Sequence, residues 1–275
     1  MTIRLIVNAD DYGRSANVSR GIRDAYLNGI VRSTTCMMNM PSVVDDIKIA
    51  RRETPGLGMG VHLVLTAGRP LLPVEKVSTL TNPDGAFWKL DRLTANRAQL
   101  DPAQVKAEWQ AQIENFVAAA GRNPTHLDSH HHSSYFTPDL FQAMLELAQA
   151  YGAAIRLPVE PDARDTLAGI PAELLQPVME RAPRLLEKFH PRHPDAFFAS
   201  FYDNAATREE LFRIMTSLDD GAFEVMTHPG YSDPDLIAGT SYAVQRDREL
   251  EILTAAETLV EVKKRNIELI HFGQL

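Results

Sequence analysis

Polar side chains that can bind a metal ion follow several strand-like runs of this 275-residue chain. Asp10 and Asp11 end the first run, His62 lies in a glycine-containing apolar run, and Asp128 and His130 alternate along a third. Imidazole nitrogens and carboxylate oxygens are the ligands that zinc and related divalent ions take in proteins. If these strand ends meet, the pattern predicts a site for one divalent cation and metal-assisted hydrolysis.

The adjacent acids Asp10 and Asp11 are the first candidates. A single aspartate after a strand often caps the next helix. Two neighbouring carboxylates, however, repel each other unless a cation offsets their charge or one of them is protonated. Because strand alternation sends their side chains to opposite faces, we expect one to bind the metal while the other approaches its bound water from another direction.

The segment 126–132 contains the highest density of residues that can bind a metal ion. On an extended chain His126, Asp128 and His130 share one face. Asp128 is then placed to orient a neighbouring histidine ligand. His131 should point away, and His132 rejoins the set only if the strand continues. A solvated histidine loop is the alternative interpretation.

His62 lies two residues after Gly60, on the same face of the predicted strand. A glycine there leaves room in which a ligand can approach. The alternative is a core histidine that is hydrogen-bonded to a backbone carbonyl.

His228 and Arg156 each follow a strand-like run. His228 is a candidate general acid that protonates a leaving amine, or else a histidine of the turn at 229–230. Arg156 can orient the catalytic carboxylate through a bidentate pair, or else be a surface arginine. Glu160 is a weaker neighbouring candidate.

Strand-like runs alternate with helical patterns along most of the chain, which predicts parallel strands covered by helices. Because polar groups recur after many strands, we expect an α/β fold of the (β/α) barrel type, complete or distorted, as one domain spanning 1–275. The predicted strands are 3–9, 33–39, 57–65, 125–130, 153–157, 222–227 and 267–271. The predicted helices are 17–28 with Asn17 as N-cap, 42–53, 102–120, 138–151, one near 171–181 in a proline-rich stretch (158–196), 208–218, and a long final helix capped by Ser241 and running through Arg265.

Residues 66–100 interrupt this alternation. The turn at 83–85 predicts an irregular loop or small hairpin that leaves the barrel, and a long loop in a compact domain is usually functional.

Composition excludes several classes of protein. The formal net charge is −8 and no basic stripe is present, which argues against a nucleic-acid partner. No apolar run is long enough for a membrane span, and the N-terminus enters a strand without a signal-peptide pattern, so we expect a cytoplasmic protein. Cys36, in an apolar run, is expected to be a small core residue.

Four segments carry motifs that are specific in combination: 7–13, 60–62, 124–132 and 228–230. Together they resemble the YdjC-type carbohydrate deacetylase family, which includes the chito-oligosaccharide deacetylases. The resemblance implies a barrel related to the polysaccharide deacetylases. It also implies hydrolysis of an N-acetyl group on an amino sugar or chito-oligosaccharide, which gives acetate and a free amine.

Carried over by position, the resemblance implies Asp11, His62 and His130 as metal ligands, Asp10 as catalytic base and His228 as acid. Asp128, Arg156 and His132 are expected to support these groups or to contact the substrate. The ion is expected to be Mg²⁺ or Zn²⁺, because family members often bind magnesium whereas imidazole ligands favour zinc. The resemblance further implies a homodimer and a role in chitin degradation.

Two segments bear on the sugar. Relatives often carry another histidine where Ser133-Ser134-Tyr135 stands, and this segment is expected to border the substrate. Phe87 and Trp88 either form an aromatic wall for a pyranose ring or pack against the barrel. Two other functions stay open: a phosphoesterase-type hydrolase with one or two metals, and a non-catalytic sugar-binding protein on the same scaffold.

Overall fold

In the part of the chain that the structure describes, eight parallel strands form the centre of the fold. The computed structural model describes residues 2–157 and 172–275, so the predicted candidate Glu160 lies outside the described residues. The sheet order is β5-β4-β3-β2-β1-β7-β6, with β8 also paired to β1. The strands are β1 Ile3–Tyr12, β2 Ser33–Cys36, β3 Gly58–Leu63, β4 His126–Ser129, β5 Ala154–Ile155, β6 Ala196–Phe198, β7 Gly221–Thr227 and β8 Ile267–Ile270.

Strand β1 organises the sheet because it has partners on both sides. Along one side it pairs first with β8 and then with β2, and along the other side it pairs with β7. Its residues Leu5, Val7 and Ala9 are fully buried, as expected for a parallel strand covered on both faces. Within the described residues no ladder joins β5 to β6, so the curled sheet is an incomplete (β/α) barrel, which confirms the predicted fold class.

Ten helices cover or connect these strands in the described part of the chain. Several begin at side-chain caps: for example, Asp101 accepts a hydrogen bond from Ala103 N at the start of α4, and Thr137 accepts one from Leu140 N at the start of α5. Helix α1 is instead capped by Ser15, not Asn17. The helices are α1 Ala16–Asn28, α2 Val43–Glu53, α3 Leu90–Ala95, α4 Pro102–Ala120, α5 Pro138–Tyr151, α6 Ala172–Phe189, α7 Arg208–Ser217, α8 Pro234–Gly239, α9 Val244–Thr254 and α10 Ala256–Lys264.

The C-terminal half differs from the prediction in several elements. The single helix predicted from Ser241 to Arg265 is divided into α9 and α10 by Ala255, whose extended ψ of 141° ends the helical path. The strand β6 was not predicted, because it adjoins the proline-rich stretch 158–196, which has little strand periodicity. Helix α6 also continues beyond the predicted end at residue 181.

The stretch 66–100 is an irregular excursion, as predicted. It contains short 3-10 turns, helix α3 and one antiparallel bridge between Thr81 and Phe87. Its base is attached to α4, where the buried Glu108 carboxylate accepts hydrogen bonds from the backbone N–H groups of Leu71 and Leu72, each at 3.0 Å. Phe87 is buried in the main core and Trp88 packs against that core, which favours the packing alternative for both aromatics.

Cys36 is fully buried in the same core, which confirms its predicted structural role. Burial raises the pKa of its thiol well above the usual value, so it is a poor nucleophile. No helix within residues 2–157 and 172–275 is both long and apolar enough to cross a membrane.

Candidate active site

The barrel interior changes from apolar to polar toward the carboxyl ends of the strands. Ile6 belongs to a small apolar cluster with Ile270 and Phe272. Two residues further along β1, the side-chain oxygen of Asn8 lies 3.1 Å from Nε2 of His126, and its amide donates to Asp10 Oδ1 at 2.8 Å. Interior positions on β1 therefore lead from the core to the candidate site.

A backbone irregularity brings both aspartates to the same cavity. Asp11 has φ +71°, in the left-handed region, and the pairing of β1 with β2 shifts register between Ala9 and Tyr12. Strand alternation is thereby broken, and Asp10 and Asp11 both line one cavity. The prediction that they face opposite sides is wrong, because it assumed a regular strand.

The structure brings Asp11, His62 and His130 together from three strand ends. Asp11 Oδ1 lies 3.2 Å from His130 Nδ1 and 3.5 Å from His62 Nε2, and these two nitrogens are 3.3 Å apart. Donor atoms about 2.0–2.2 Å from one ion, in tetrahedral directions, are separated by roughly 3.3–3.6 Å. The triangle therefore has the dimensions of a divalent metal site.

The unpaired oxygen of Asp11 supports this assignment. Asp11 Oδ1 is buried and, within residues 2–157 and 172–275, meets no donor in hydrogen-bonding geometry, an arrangement that costs free energy unless a cation binds there. Burial lowers the pKa of His130, so its imidazole is neutral and available as a ligand. Asp11, His62 and His130 thus fit a metal ion by number, type and spacing.

A second cluster, Asp10, His62 and Asp128, has similar spacing but is already satisfied. Both oxygens of Asp10 accept hydrogen bonds from Arg156. Asp128 is hydrogen-bonded to His62 Nδ1 through Oδ1 and accepts the Thr35 hydroxyl through Oδ2. Each oxygen of these two carboxylates already faces a hydrogen-bonding partner, whereas Asp11 Oδ1, among the described residues, does not, so the first cluster is the better metal site.

Asp128 orients His62. Its Oδ1 lies 2.7 Å from His62 Nδ1, which leaves Nε2 directed toward Asp11 and His130. Burial opposes protonation of this ring, but Asp128 and the nearby aspartates raise the pKa of His62 to about 9. A bound cation competes with that proton for Nε2.

Gly60 has a different role from the predicted one. A Cβ atom at this position would lie 2.5 Å from the Nδ1 atom and the carbonyl oxygen of His126. The glycine therefore makes room for His126 and not for a ligand of His62.

Arg156 is fully buried and makes the bidentate pair that the sequence suggested. Its two terminal nitrogens donate to the two oxygens of Asp10 at 2.7 Å each, and its Nε donates to Glu224 at 2.8 Å. Burial opposes ionisation of Asp10, yet the guanidinium holds its pKa well below the usual value. Burial, in contrast, raises the pKa of Glu224 to about 7. The surface alternative for Arg156 is excluded.

Arg246 on α9 was not predicted. Its Nη2 lies 2.5 Å from Asp11 Oδ2, so Asp11 is anchored through one oxygen and open at the other. Burial opposes ionisation of Asp11, but Arg246 and then His130 keep its pKa well below the usual value. The surrounding sequence, 244–251, is rich in charges and is typical of a solvated helix face, so it gave no signal.

His228 stands beside Asp10 at the end of β7. Its Nε2 lies 4.0 Å from Asp10 Oδ2, and burial lowers the pKa of the ring to about 4. Its backbone N–H donates to Glu249 Oε2 at 2.5 Å. The rings of Tyr202 and Tyr242 lie 5.4 and 5.3 Å from the imidazole. These three neighbours of His228 were not predicted, and they come from segments without a motif.

The histidine triplet turns sharply after β4. His131 and His132 both have left-handed backbones, with φ of +53° and +54°. This turn returns His132 to the cavity although the strand ends at Ser129. His131, expected to point away, also borders the cavity, and its Nδ1 lies 2.8 Å from the Thr66 hydroxyl.

The segment Ser133-Ser134-Tyr135 does not border the cavity. All three residues are buried, Ser134 N donates to Ser129 Oγ, and the Tyr135 hydroxyl donates to the carbonyl oxygen of Arg156. Their role is to brace the histidine turn and the arginine, which corrects the prediction that they meet the substrate.

The candidate site opens into a cavity of about 500 Å³. Its floor holds Asp10, Asp11 and the histidines, and one wall is formed by Tyr202 and Tyr242. The excursion contributes Lys89, Leu90 and Asp91 to the rim. Concave sites of this volume suit a small ligand held by a few polar groups.

Comparison with known proteins identifies relatives over the whole length of the chain. The model of the YdjC-like protein family matches residues 4–263. A carbohydrate deacetylase of Brevibacillus brevis is 36% identical over 99% of this chain and 100% of its own length. One of Thermoanaerobacter pseudethanolicus is 34% identical, with 98% of each chain covered.

A solved structure extends the comparison to three dimensions. A candidate cellobiose-phosphate cleavage protein from Enterococcus faecalis V583 superimposes with a TM-score of 0.86 at 31% identity, and the match covers 100% of this chain and 99% of that one. The predicted fold and the predicted resemblance to a deacetylase-type enzyme are confirmed by these matches. The chain therefore belongs to the YdjC-like protein family.

Proposed function

We propose that this protein is a metal-dependent hydrolase that removes the N-acetyl group of an amino sugar, giving acetate and a free amine. The observation that carries the proposal is the open triangle of Asp11, His62 and His130 beside the Asp10–His228 pair. The relatives named as carbohydrate deacetylases support the substrate class.

Asp11, His62 and His130 would hold the ion. A divalent cation at these ligands supplies Lewis acidity, which polarises the acetyl carbonyl and acidifies a water molecule. Two imidazoles and one carboxylate are the donor set of catalytic zinc sites, so we favour zinc or a similar transition metal over magnesium.

Asp10 is the proposed proton acceptor. Arg156 and Asn8 hold its carboxylate in place, so its position relative to the attacking water does not depend on solvent. The same contacts stabilise the ionised form, which is the form that can accept a proton. Arg156 is the residue that orients this base.

His228 is the proposed donor to the leaving nitrogen. Its ring is neutral at rest, because burial lowers its pKa. A proton taken from water by Asp10 can pass to His228 Nε2, which is 4.0 Å away, and then to the amine as the carbon–nitrogen bond breaks. One proton thus moves from water to the product amine, and the oxygen of that water remains in acetate.

The cavity wall fits a sugar. Tyr202 and Tyr242 stack with centroids 4.6 Å apart and planes inclined by 8°, and they present an apolar aromatic surface with polar tips. The rim residues Lys89, Asp91 and Thr240 offer donors and acceptors for hydroxyl groups. We propose an N-acetylated mono- or oligosaccharide, including chito-oligosaccharides, as substrate.

The test is acetate release from N,N'-diacetylchitobiose and from a panel of N-acetylated mono- and disaccharides, with Zn²⁺, Co²⁺ or Mg²⁺ added. We expect turnover with at least one sugar and its loss in Asp10→Asn. Glu251→Gln, at an exposed position of α9, is the control for a carboxylate removed away from the cavity. Absence of acetate from every sugar with every metal would contradict the proposal.

The same experiments separate the alternatives. A phosphoesterase-type hydrolase would release phosphate from a phosphorylated sugar and often binds two metals, so metal stoichiometry is measured alongside. A sugar-binding protein without activity would bind the panel and release nothing. The homodimer, the cytoplasmic location and the role in chitin degradation stay predictions.

A further inference from the structure

Glu249 is a fully buried carboxylate on α9 that the catalytic scheme above does not use. Both of its oxygens are engaged. Oε2 accepts the backbone N–H of His228 at 2.5 Å, and Oε1 accepts the hydroxyl hydrogen of Tyr242. One side chain thus connects the proposed acid with the aromatic wall.

Among the residues that the structure describes, no hydrogen-bonding partner reaches the buried Nδ1 of His228, whereas His62 in the same site is oriented at Nδ1 by Asp128. The position of the His228 ring is therefore set by its backbone and by the aromatic rings around it. Glu249 acts on both of these supports.

Tyr242 connects Glu249 to further residues of the cavity wall. Its hydroxyl accepts the backbone N–H of Asp203 at 3.0 Å while it donates to Glu249, and its ring stacks on Tyr202. Glu249 thus ties together the end of β7, helix α9 and the loop that follows β6. These are the elements that form one wall of the cavity.

We propose that Glu249 is a positioning residue for the deacetylation, an inference that rests on the proposed function. Its carboxylate holds the His228 backbone through one oxygen and the Tyr242 phenol through the other, so that acid and aromatic wall keep a fixed relation to Asp10. A carboxylate is required, because one group must accept two hydrogen bonds from different elements.

The test compares Glu249→Gln with Glu251→Gln, which makes the same chemical change at an exposed position of the same helix. General acid–base catalysis typically contributes about 10²–10⁴-fold, so partial misplacement of His228 should lower kcat by roughly 10–100-fold. We expect KM and metal affinity to change by less than about threefold, since the metal ligands are not bonded to Glu249. The control variant should match the wild type.

A double-mutant cycle distinguishes positioning from a general loss of stability. If Glu249 acts through His228, Glu249→Gln should reduce the residual activity of His228→Ala by less than about threefold, because the group it positions is gone. An equal loss in both backgrounds, or an unchanged kcat in Glu249→Gln, overturns the proposal.

A measurement that does not depend on turnover separates the positioning role of Glu249 from the proposed deacetylase function. Hydrogen exchange of the His228 amide, followed by NMR with ¹⁵N-histidine, should accelerate about tenfold or more in Glu249→Gln, because glutamine has one acceptor oxygen where the His228 N–H and the Tyr242 hydroxyl use two. Unchanged exchange overturns the positioning role. Acetate release by the wild type tests the proposed function separately, so failure of one hypothesis is not read as failure of the other.

Discussion

Replacing Asp128 by asparagine should weaken metal binding, because it changes which ring nitrogen of His62 carries the proton. Asp128 Oδ2 faces two donors, Arg156 Nη1 and the Thr35 hydroxyl, each at 3.0 Å, while Oδ1 faces His62 Nδ1 at 2.7 Å. The guanidinium has no acceptor atom, so the asparagine carbonyl oxygen must take the side facing Arg156. The amide NH₂ then faces His62 Nδ1, which is forced to accept.

This reversal moves the remaining ring proton of His62 to Nε2, the atom directed at Asp11 and His130. A protonated nitrogen cannot bind a metal, so the site must either lose a ligand or rotate the amide against Arg156. Removing a partner that orients a ligand histidine typically costs 10–100-fold in metal affinity, or about 1.4–2.7 kcal/mol. We expect the upper part of that range, because both orientations of the amide are penalised.

The assay is calorimetric titration of the apo-protein with Zn²⁺ or Co²⁺, which does not depend on turnover. Asp46→Asn is the matched control, since Asp46 is also a buried carboxylate but accepts hydrogen bonds from Ser19 and Ser42. Circular dichroism establishes that each variant is folded. Metal affinity within about threefold of the wild type in Asp128→Asn would refute the assignment of His62 Nε2 as a ligand atom.

Three further predictions concern stability. Arg156→Met should lower the free energy of unfolding by about 3–5 kcal/mol in urea denaturation, because Asp10 and Glu224 lose their buried partner; a loss below about 1 kcal/mol would contradict this. Burial raises the pKa of Glu249 to about 7, so its contribution to stability is present below about pH 4.5 and is lost as pH rises through 7. Glu249→Gln should therefore gain stability relative to the wild type between pH 5 and 8, by about 3 kcal/mol at most, and parallel pH profiles would disprove it. Excess Zn²⁺ should raise the melting temperature of the wild type but not of Asp11→Asn, and equal shifts in the two proteins would count against Asp11 as a ligand.

The sequence predicted the residues that stand at strand ends. Asp10, Asp11, His62 and His130 follow or end β-rich runs, and parallel strands place their carboxyl ends at one edge, so their convergence follows from the fold class. The bidentate partner Arg156 could be proposed for the same reason. The apolar, β-rich runs that lead into these residues identify them, although strand periodicity does not predict the direction of the Asp11 side chain.

The supporting residues could not be found in this way. Arg246 and Glu249 lie on a helix whose charged sequence resembles a solvated surface, and only its packing over the strand ends buries them. Glu224 did carry a signal, a lone acid within the apolar strand β7, which is costly to bury without a partner. The left-handed backbone conformations at Asp11 and His132 gave no signal in the sequence, because neither position is a glycine.

The left-handed backbone at Asp11 also determines which distances between the residues of the candidate site can increase. Because it turns two successive carboxylates into one cavity, the spacing of Asp10 and Asp11 is fixed by a single peptide unit. His62 and His130, in contrast, reach this pair only through the lateral association of β1, β2, β3 and β4. Partial opening of that half of the barrel would separate the imidazoles from Asp11 and release the cation, while the two acids stayed side by side.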